Sequence, residues 1–247
     1  MKHYFKKAIL ALGLLAGLVT LQSCNDDDEN YYYPSYLPNA LVTVRPAADG
    51  SFTMQLDDST TLTPANMQQS PFGNKEVRAL VNCYKANSTT NADNRVNIVW
   101  IDSIRTKLPV VTTGNDDDKT YGNDPIEIVR DWVTVAEDGY LTLRFRTRWG
   151  NSGRVHYINL VTGTNPDDPF DLVLRQDAKG DTYGTWGDAL IAFNLNELKR
   201  VHGDKVKLTL RWMSYSGEKS TTFDLRLRPT ASTSALTSRL PLSAKVK

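Results

Sequence analysis

The sequence predicts an all-β protein, a small Greek-key barrel followed by an antiparallel β-sandwich. Three observations carry that expectation. Apolar residues recur at every second position in short runs; Gly, Pro and Asp-Asp pairs interrupt those runs; and the folded part lacks a convincing amphipathic-helix pattern. About five strands in ~70 residues suit a barrel closed on itself, and about seven more in ~100 residues suit two packed sheets.

Ahead of the strands, Met1–Lys7 carries Lys2, Lys6 and Lys7, and Ala8–Val19 is an uninterrupted apolar run. About a dozen residues is the length of a signal h-region and well short of the ~20 that span a bilayer. Leu21-Gln22-Ser23-Cys24 follows, with a small residue before the cysteine and leucine three before it. Residues 1–23 therefore read as a lipoprotein signal peptide, cleaved between Ser23 and Cys24, with Cys24 as the lipidation site. Two or three acyl chains, each buried methylene contributing ~0.8 kcal/mol, give stable attachment where one chain gives only reversible binding. The first expected partner is thus the membrane, reached through the lipid anchor.

Residues 24–38 read as a tether, acidic in Asn25, Asp26, Asp27, Asp28 and Glu29, then tyrosine-rich, closed by Pro34 and Pro38. Residues 39–108 read as the OB-like barrel. Leu41, Val42 and Val44 precede Pro46, Asp49-Gly50 turns the chain, Phe52, Met54 and Leu56 alternate with polar residues, and longer strands follow at 76–84 and 95–105. Residues 109–124, rich in Thr, Asp and Gly, read as a linker. Residues 125–230 read as the sandwich, clearest where Leu141, Leu143 and Phe145 alternate with Thr142, Arg144 and Arg146, and where Val206, Leu208, Leu210 and Trp212 alternate with lysine, threonine and arginine. A short helical turn is expected near Asn194–Arg200, and residues 231–247 read as a loose tail.

Removing the three leader lysines from 29 basic residues leaves 26 against 28 acidic ones, a net charge near −2 for the processed chain. That balance argues against a nucleic-acid partner, which calls for a strongly basic domain. With Cys24 acylated, Cys83 is the one remaining thiol, so neither an intrachain disulfide nor a thiolate metal cluster can form. Cys83 alternates with Val77, Ala79 and Val81 and reads as a buried apolar thiol.

Candidate chemistry is sparse. Gly150-Asn151-Ser152-Gly153 echoes a serine-protease nucleophile loop, but the only histidine upstream is His3 in the leader, and no G-x-S-x-G elbow is present to serve His156 or His202. Asp116, Asp118, Thr120, Asp124 and Glu127 fall at calcium-loop spacing, yet Tyr121 occupies the position that needs glycine and no helices are expected on either side, so a solvated run is the simpler reading. No cofactor motif is found. Trp132 and Trp212 lie in strand patterns and read as core, and Trp100 as a barrel residue. Trp149 and Trp186, each followed by glycine, and Tyr183 sit at strand ends or in loops, where aromatics either plug a sandwich end or face a ligand. These three are the candidate ligand-facing residues. Arg144, Arg146, Arg148, Arg175, Arg211, Arg226 and Arg228 read as a solvated face with cross-strand acidic partners. Asp58-Ser59-Thr60 and Asp102-Ser103-Ile104 fit a short acidic-hydroxyl-apolar glycosylation pattern.

The segments LVTVRPAADGSFTMQLDDSTTLTPAN, DWVTVAEDGYLTLRFRTRWG, HYINLVTGTNPDDPFDLVLRQDAKGD and LTLRWMSYSGEKSTTF resemble the NigD-like lipoproteins of Bacteroidota over about residues 40 to 228. The resemblance implies an N-terminal OB domain and a C-terminal β-sandwich, with no reaction and no catalytic residue. In that light the acidic residues 25–29 resemble a surface-export signal, against the plainer reading of a solvated spacer. Two departures stand out, Ser59 where glycine is expected and Gln176 where histidine is expected. The sequence thus points to a non-enzymatic outer-membrane lipoprotein, exposed at the cell surface, that binds an envelope protein, a peptide or a glycan. A bacteriocin immunity or accessory factor, and a carbohydrate-binding or carbohydrate-active protein, are the alternatives.

Overall fold

The computed structural model describes residues 34–87, 94–150, 152–200 and 203–229. The expected leader, the expected Ser23–Cys24 cleavage and lipidation site, Asn25–Glu29, His202 and the 231–247 tail lie outside the described residues.

Five strands close the first barrel: β1 (Ala40–Pro46), β2 (Phe52–Gln55), β3 (Thr61–Pro64), β4 (Val77–Lys85) and β5 (Arg95–Ser103), in the order β1-β2-β3-β5-β4. Alternation turns Val42, Val44, Phe52, Met54, Ala79, Val81, Val96 and Ile98 inward, and these residues fill the interior. The carboxylates of Asp49 and Asp57 accept hydrogen bonds from the backbone two residues on and shape the tight turns that the sequence marked. A bulge at Asn82/Cys83 breaks the alternation, which leaves Cys83 half-buried rather than fully enclosed.

The remaining strands build two sheets. The first has the order β6 (Thr106–Lys107), β13 (Thr185–Asn194), β10 (Tyr140–Trp149), β8 (Glu127–Val129), with β9 (Val135–Glu137) also paired to β10. The second has the order β15 (Gly217–Arg226), β14 (Lys205–Ser214), β12 (Asp171–Asp177), β11 (Tyr157–Thr162), β7 (Val110–Val111). Leu141, Leu143, Phe145, Ile191 and Phe193 of the first sheet meet Leu160, Leu172, Leu174, Leu208, Leu210 and Trp212 of the second. Each such side chain contributes roughly 1.5–3 kcal/mol on burial.

Three stretches differ from expectation. Where a linker was expected, β7 adds to the second sheet and a 3₁₀ turn at Gly114–Asp116 leads into helix α1 (Asp117–Tyr121). Asp117 is buried and accepts hydrogen bonds from Thr112 Oγ1 and from the amide and hydroxyl of Thr113; the helix is held by these bonds, not by an apolar face, so hydrophobic periodicity could not reveal it. The tether's last residues are tied to the barrel, the carbonyls of Ser35 and Leu37 accepting from Trp100 Nε1 and Asn82 Nδ2. After β13 ends at Asn194, residues 195–200 turn without forming a helix: the Asn194 carboxamide oxygen accepts the Asn196 amide, and the Asn196 side chain reaches across to the Asp138 carbonyl and the Arg228 amide.

Barrel and sandwich meet across the outer face of the first sheet. Leu41 and Ile104 pack with Val133 and Ala192, flanked by Leu80 and Leu190. Arg78, fully buried, donates to Thr43, Thr142 and Glu137. Beside it Asp138 pairs with both Arg45 and Arg228, and Arg228 also donates to Glu76.

Candidate functional site

On β10 and β13 the odd-numbered residues face the core, so the even-numbered ones line the sheet's outer face. The register places Thr142 opposite Ala192, Arg144 opposite Leu190, Arg146 opposite Asp188 and Arg148 opposite Trp186. The barrel covers this face as far as Ala192. Beyond Leu190 the face opens to solvent through a recess of about 290 Å³ whose walls include Pro38, Leu80, Trp132, Val133 and Arg144.

Trp132 stands in the turn between β8 and β9. The Asp131 carboxylate accepts the Val133 amide, and the Thr134 hydroxyl donates to the Val129 carbonyl, which turns the indole outward. It is 54% exposed, so the expectation that it belongs to the core is corrected. The strand-like Val129–Val135 stretch concealed an Asx turn. Asp131, two residues before a backbone N–H it can accept, was the available signal.

Below Trp132 runs a ladder of ion pairs. Arg144 donates to Asp131 at 2.8 Å and to Asp188 at 2.6 Å and 2.9 Å, and Arg146 donates to Asp188 at 2.5 Å. The hydrogen bond from Arg146, with that from Arg144, overcomes the opposing effect of burial and draws the Asp188 carboxyl down to about 2. At the far end Arg148 lies over Trp186, 4.4 Å from the ring centre, and Tyr215 meets that ring edge-on at 4.7 Å. Arg148 also donates to the Gly184 carbonyl at 2.9 Å. Gly184 has φ +115°, and an added Cβ would lie 2.3 Å from the Trp149 carbonyl oxygen, so only glycine lets the chain enter β13 here.

The expected ligand-facing aromatics divide. Trp186 and Tyr183 are exposed, Tyr183 at 81%. Trp149 turns toward the core and stacks on His156 at 4.1 Å, so it plugs the sandwich end. The His156 ring is buried, its Nε2 3.4 Å from Asp181 and its Nδ1 3.3 Å from the Gln176 amide, the position where histidine was expected. Burial works to raise the Asp181 carboxyl, but hydrogen bonds from Ser152, His156 and the Gly150 amide hold it below the usual range. Ser152 is therefore hydrogen-bonded to the aspartate, beside the imidazole's own contact with it.

The calcium-spaced residues do not converge. Asp118 pairs with Arg175, Asp124 accepts the Ala178 amide, and Glu127 binds Lys219. Among the described residues no three His, Cys, Asp or Glu side chains group as metal ligands. Burial pushes the Cys83 thiol up. Of the arginines, Arg144, Arg146 and Arg148 share the open face, Arg211 pairs with Asp171 on the second sheet, and Arg228 turns into the seam between the domains. Ser59 and Ser103 are exposed. The seam network and Trp132 were not singled out from the sequence as site features, since both depend on which faces meet.

A small closed barrel packed on a sandwich, with an aromatic and ionic surface left open beside it, defines a two-domain β protein of the OB-plus-sandwich class. The NigD-like N-terminal OB domain matches residues 41–104 and the NigD-like C-terminal β-sandwich domain matches residues 109–225. The chain belongs to the NigD-like family. A crystal structure of a protein from Parabacteroides distasonis, described as toxin related, is 29% identical with TM-score 0.63, covering 81% of this chain and 96% of that one. A protein of unknown function from Bacteroides vulgatus is 17% identical with TM-score 0.58, over 78% of this chain and 91% of that one. A NigD-like immunity protein from Bacteroides caccae is 24% identical with TM-score 0.54, over 78% and 93%. The latter two likenesses concern the fold alone. A search of curated proteins found no match.

Proposed function

We propose that this chain is a non-catalytic lipoprotein, anchored through Cys24 in the outer membrane and displayed at the cell surface, which binds its ligand on the open outer face of the first sandwich sheet. The observation that carries this reading is that face itself, where Trp132 and Trp186 stand exposed on either side of the arginine–aspartate ladder. Large exposed aromatics around a concave surface are the usual mark of an interaction site. The leader and Ser23–Cys24 support the location, and Asn25–Glu29 support surface export. A glycosidase would need a carboxyl kept protonated as general acid. Asp188 is held ionised by two arginines, which favours binding over hydrolysis.

A photo-crosslinking residue in place of Arg146, used on intact cells, tests the reading against the same residue in place of Lys207 on the second sheet. An adduct specific to Arg146 supports it, and equal or absent labelling at both overturns it. Cys24→Ala is expected to leave the protein unlipidated and release it from membranes. A second reading comes from the Bacteroides caccae relative described as an immunity protein. On that reading the face binds a bacteriocin, and a deletion strain becomes more sensitive to the cognate toxin.

A further inference from the structure

The geometry points to an uncharged oligosaccharide as the ligand of the open face, an inference that rests on the binding reading above. Its first support is the state of Trp132. Among the described residues no ring or cation packs on this indole and none accepts its N–H, although the side chain is more than half exposed and walls a recess. A flat apolar ring with a free donor at its edge suits the C–H face and hydroxyl rim of a sugar.

The second support is the spacing. Trp132 lines one recess with Asp131 and Arg144 at one end, and Trp186 is directly opposite Arg148 at the other. From Arg144 to Arg148 the strand advances about 14 Å, so the two indoles mark the ends of a platform long enough for several linked rings, not one. No wall of backbone closes the platform between them, since Arg144, Arg146 and Trp186 all remain 40% or more exposed in their side chains or as residues.

The third support is the polarity between the indoles. Asp131 and Asp188 are already neutralised by Arg144 and Arg146. A cationic peptide would have to displace one of these partners, and an anionic one would meet only Arg148, already engaged by the Gly184 carbonyl and the Trp186 ring. A hydroxyl can instead donate to a spare carboxylate lone pair and accept from a spare guanidinium N–H, leaving the ion pairs intact. A peptide added along the edge of β13 is the competing occupant and an outcome of the test.

The test uses the full lipidated chain in detergent against an array of neutral and anionic oligosaccharides, followed by tryptophan-fluorescence titration with the bound glycans. Neutral oligosaccharides of several units are expected to bind, and the corresponding monosaccharides more weakly. Trp132→Ala and Trp186→Ala are each expected to weaken binding about tenfold. Trp132→Phe should recover part of that loss and Lys207→Ala should change nothing. Retention of no glycan, of anionic glycans only, or binding indifferent to both tryptophan variants overturns the saccharide assignment. If the array is blank while the Arg146 crosslink still forms with a protein or peptide, the binding reading survives without the saccharide. If both fail, neither stands.

Discussion

The outer face of the first sandwich sheet is one surface used in two ways. Its near half, around Thr142 and Ala192, is covered by the barrel, and there Arg78 is fully buried against Glu137. Its far half carries the same pairing chemistry, Arg144 and Arg146 on Asp188, under open water. Identical functional groups thus act as an interdomain tie at one end and as an adaptable surface at the other. The difference is solvent. A buried guanidinium stripped of its partner leaves an uncompensated charge, whereas an exposed one regains water.

The largest expected effect lies in the covered half. Arg78→Ala should cost about 3–5 kcal/mol in urea denaturation by leaving Glu137 unpaired in the seam. A loss under about 1 kcal/mol would erase the distinction between the halves. Replacing both partners by apolar residues, Arg78→Met with Glu137→Leu, should recover most of that loss, since the penalty belongs to the orphaned charge more than to the missing attraction. A double variant as unstable as Arg78→Ala would show that the ion pair is itself a major stabilising contact.

The two carboxylates should also titrate in opposite senses. Burial pushes the Glu137 carboxyl above its ordinary 4.5, against the pull of Arg78. Its contribution to stability is therefore full below 4.5 and fades as pH rises through the folded value. Asp188 is drawn from 3.8 down to about 2, so its contribution is present above 3.8 and fades as pH falls toward 2. Because Asp188 remains partly solvated, that contribution should stay within ~1 kcal/mol. Urea midpoints across about pH 2 to 7 should show Glu137→Gln flattening the first slope and Asp188→Asn the second. Slopes of the same sign would contradict the comparison. The smallest effect is reserved for Arg146→Ala, which should barely move the urea midpoint at low salt and not at all at high salt. A larger loss would mean that the open half also holds the fold together.

Much of this architecture could be read directly. Strict alternation in Leu141–Arg146 and Val206–Trp212 identified the faces that became the sandwich core, and the barrel strands Leu41–Val44 and Phe52–Met54 followed the same rule. What escaped was held by polar groups. Asp117 organises the supposed linker through hydrogen bonds that leave no periodic trace, and Asp131 turns Trp132 outward in a stretch that reads as strand. Trp149 and Trp186 look alike in sequence, each followed by glycine. Their odd and even positions on β10 and β13 send one inward to His156 and the other outward to solvent.

Local sequence alone therefore decided the all-β class, the order of the two units and the inward faces of the long strands, because a period of two is a property of neighbouring residues. The tertiary structure decided which half of one sheet face the barrel covers, and hence which arginine is buried and which tryptophan is free. Those outcomes depend on contacts between residues far apart in the chain, such as Arg78 with Glu137 and Arg228 with Glu76, and burial exists only once distant surfaces have met.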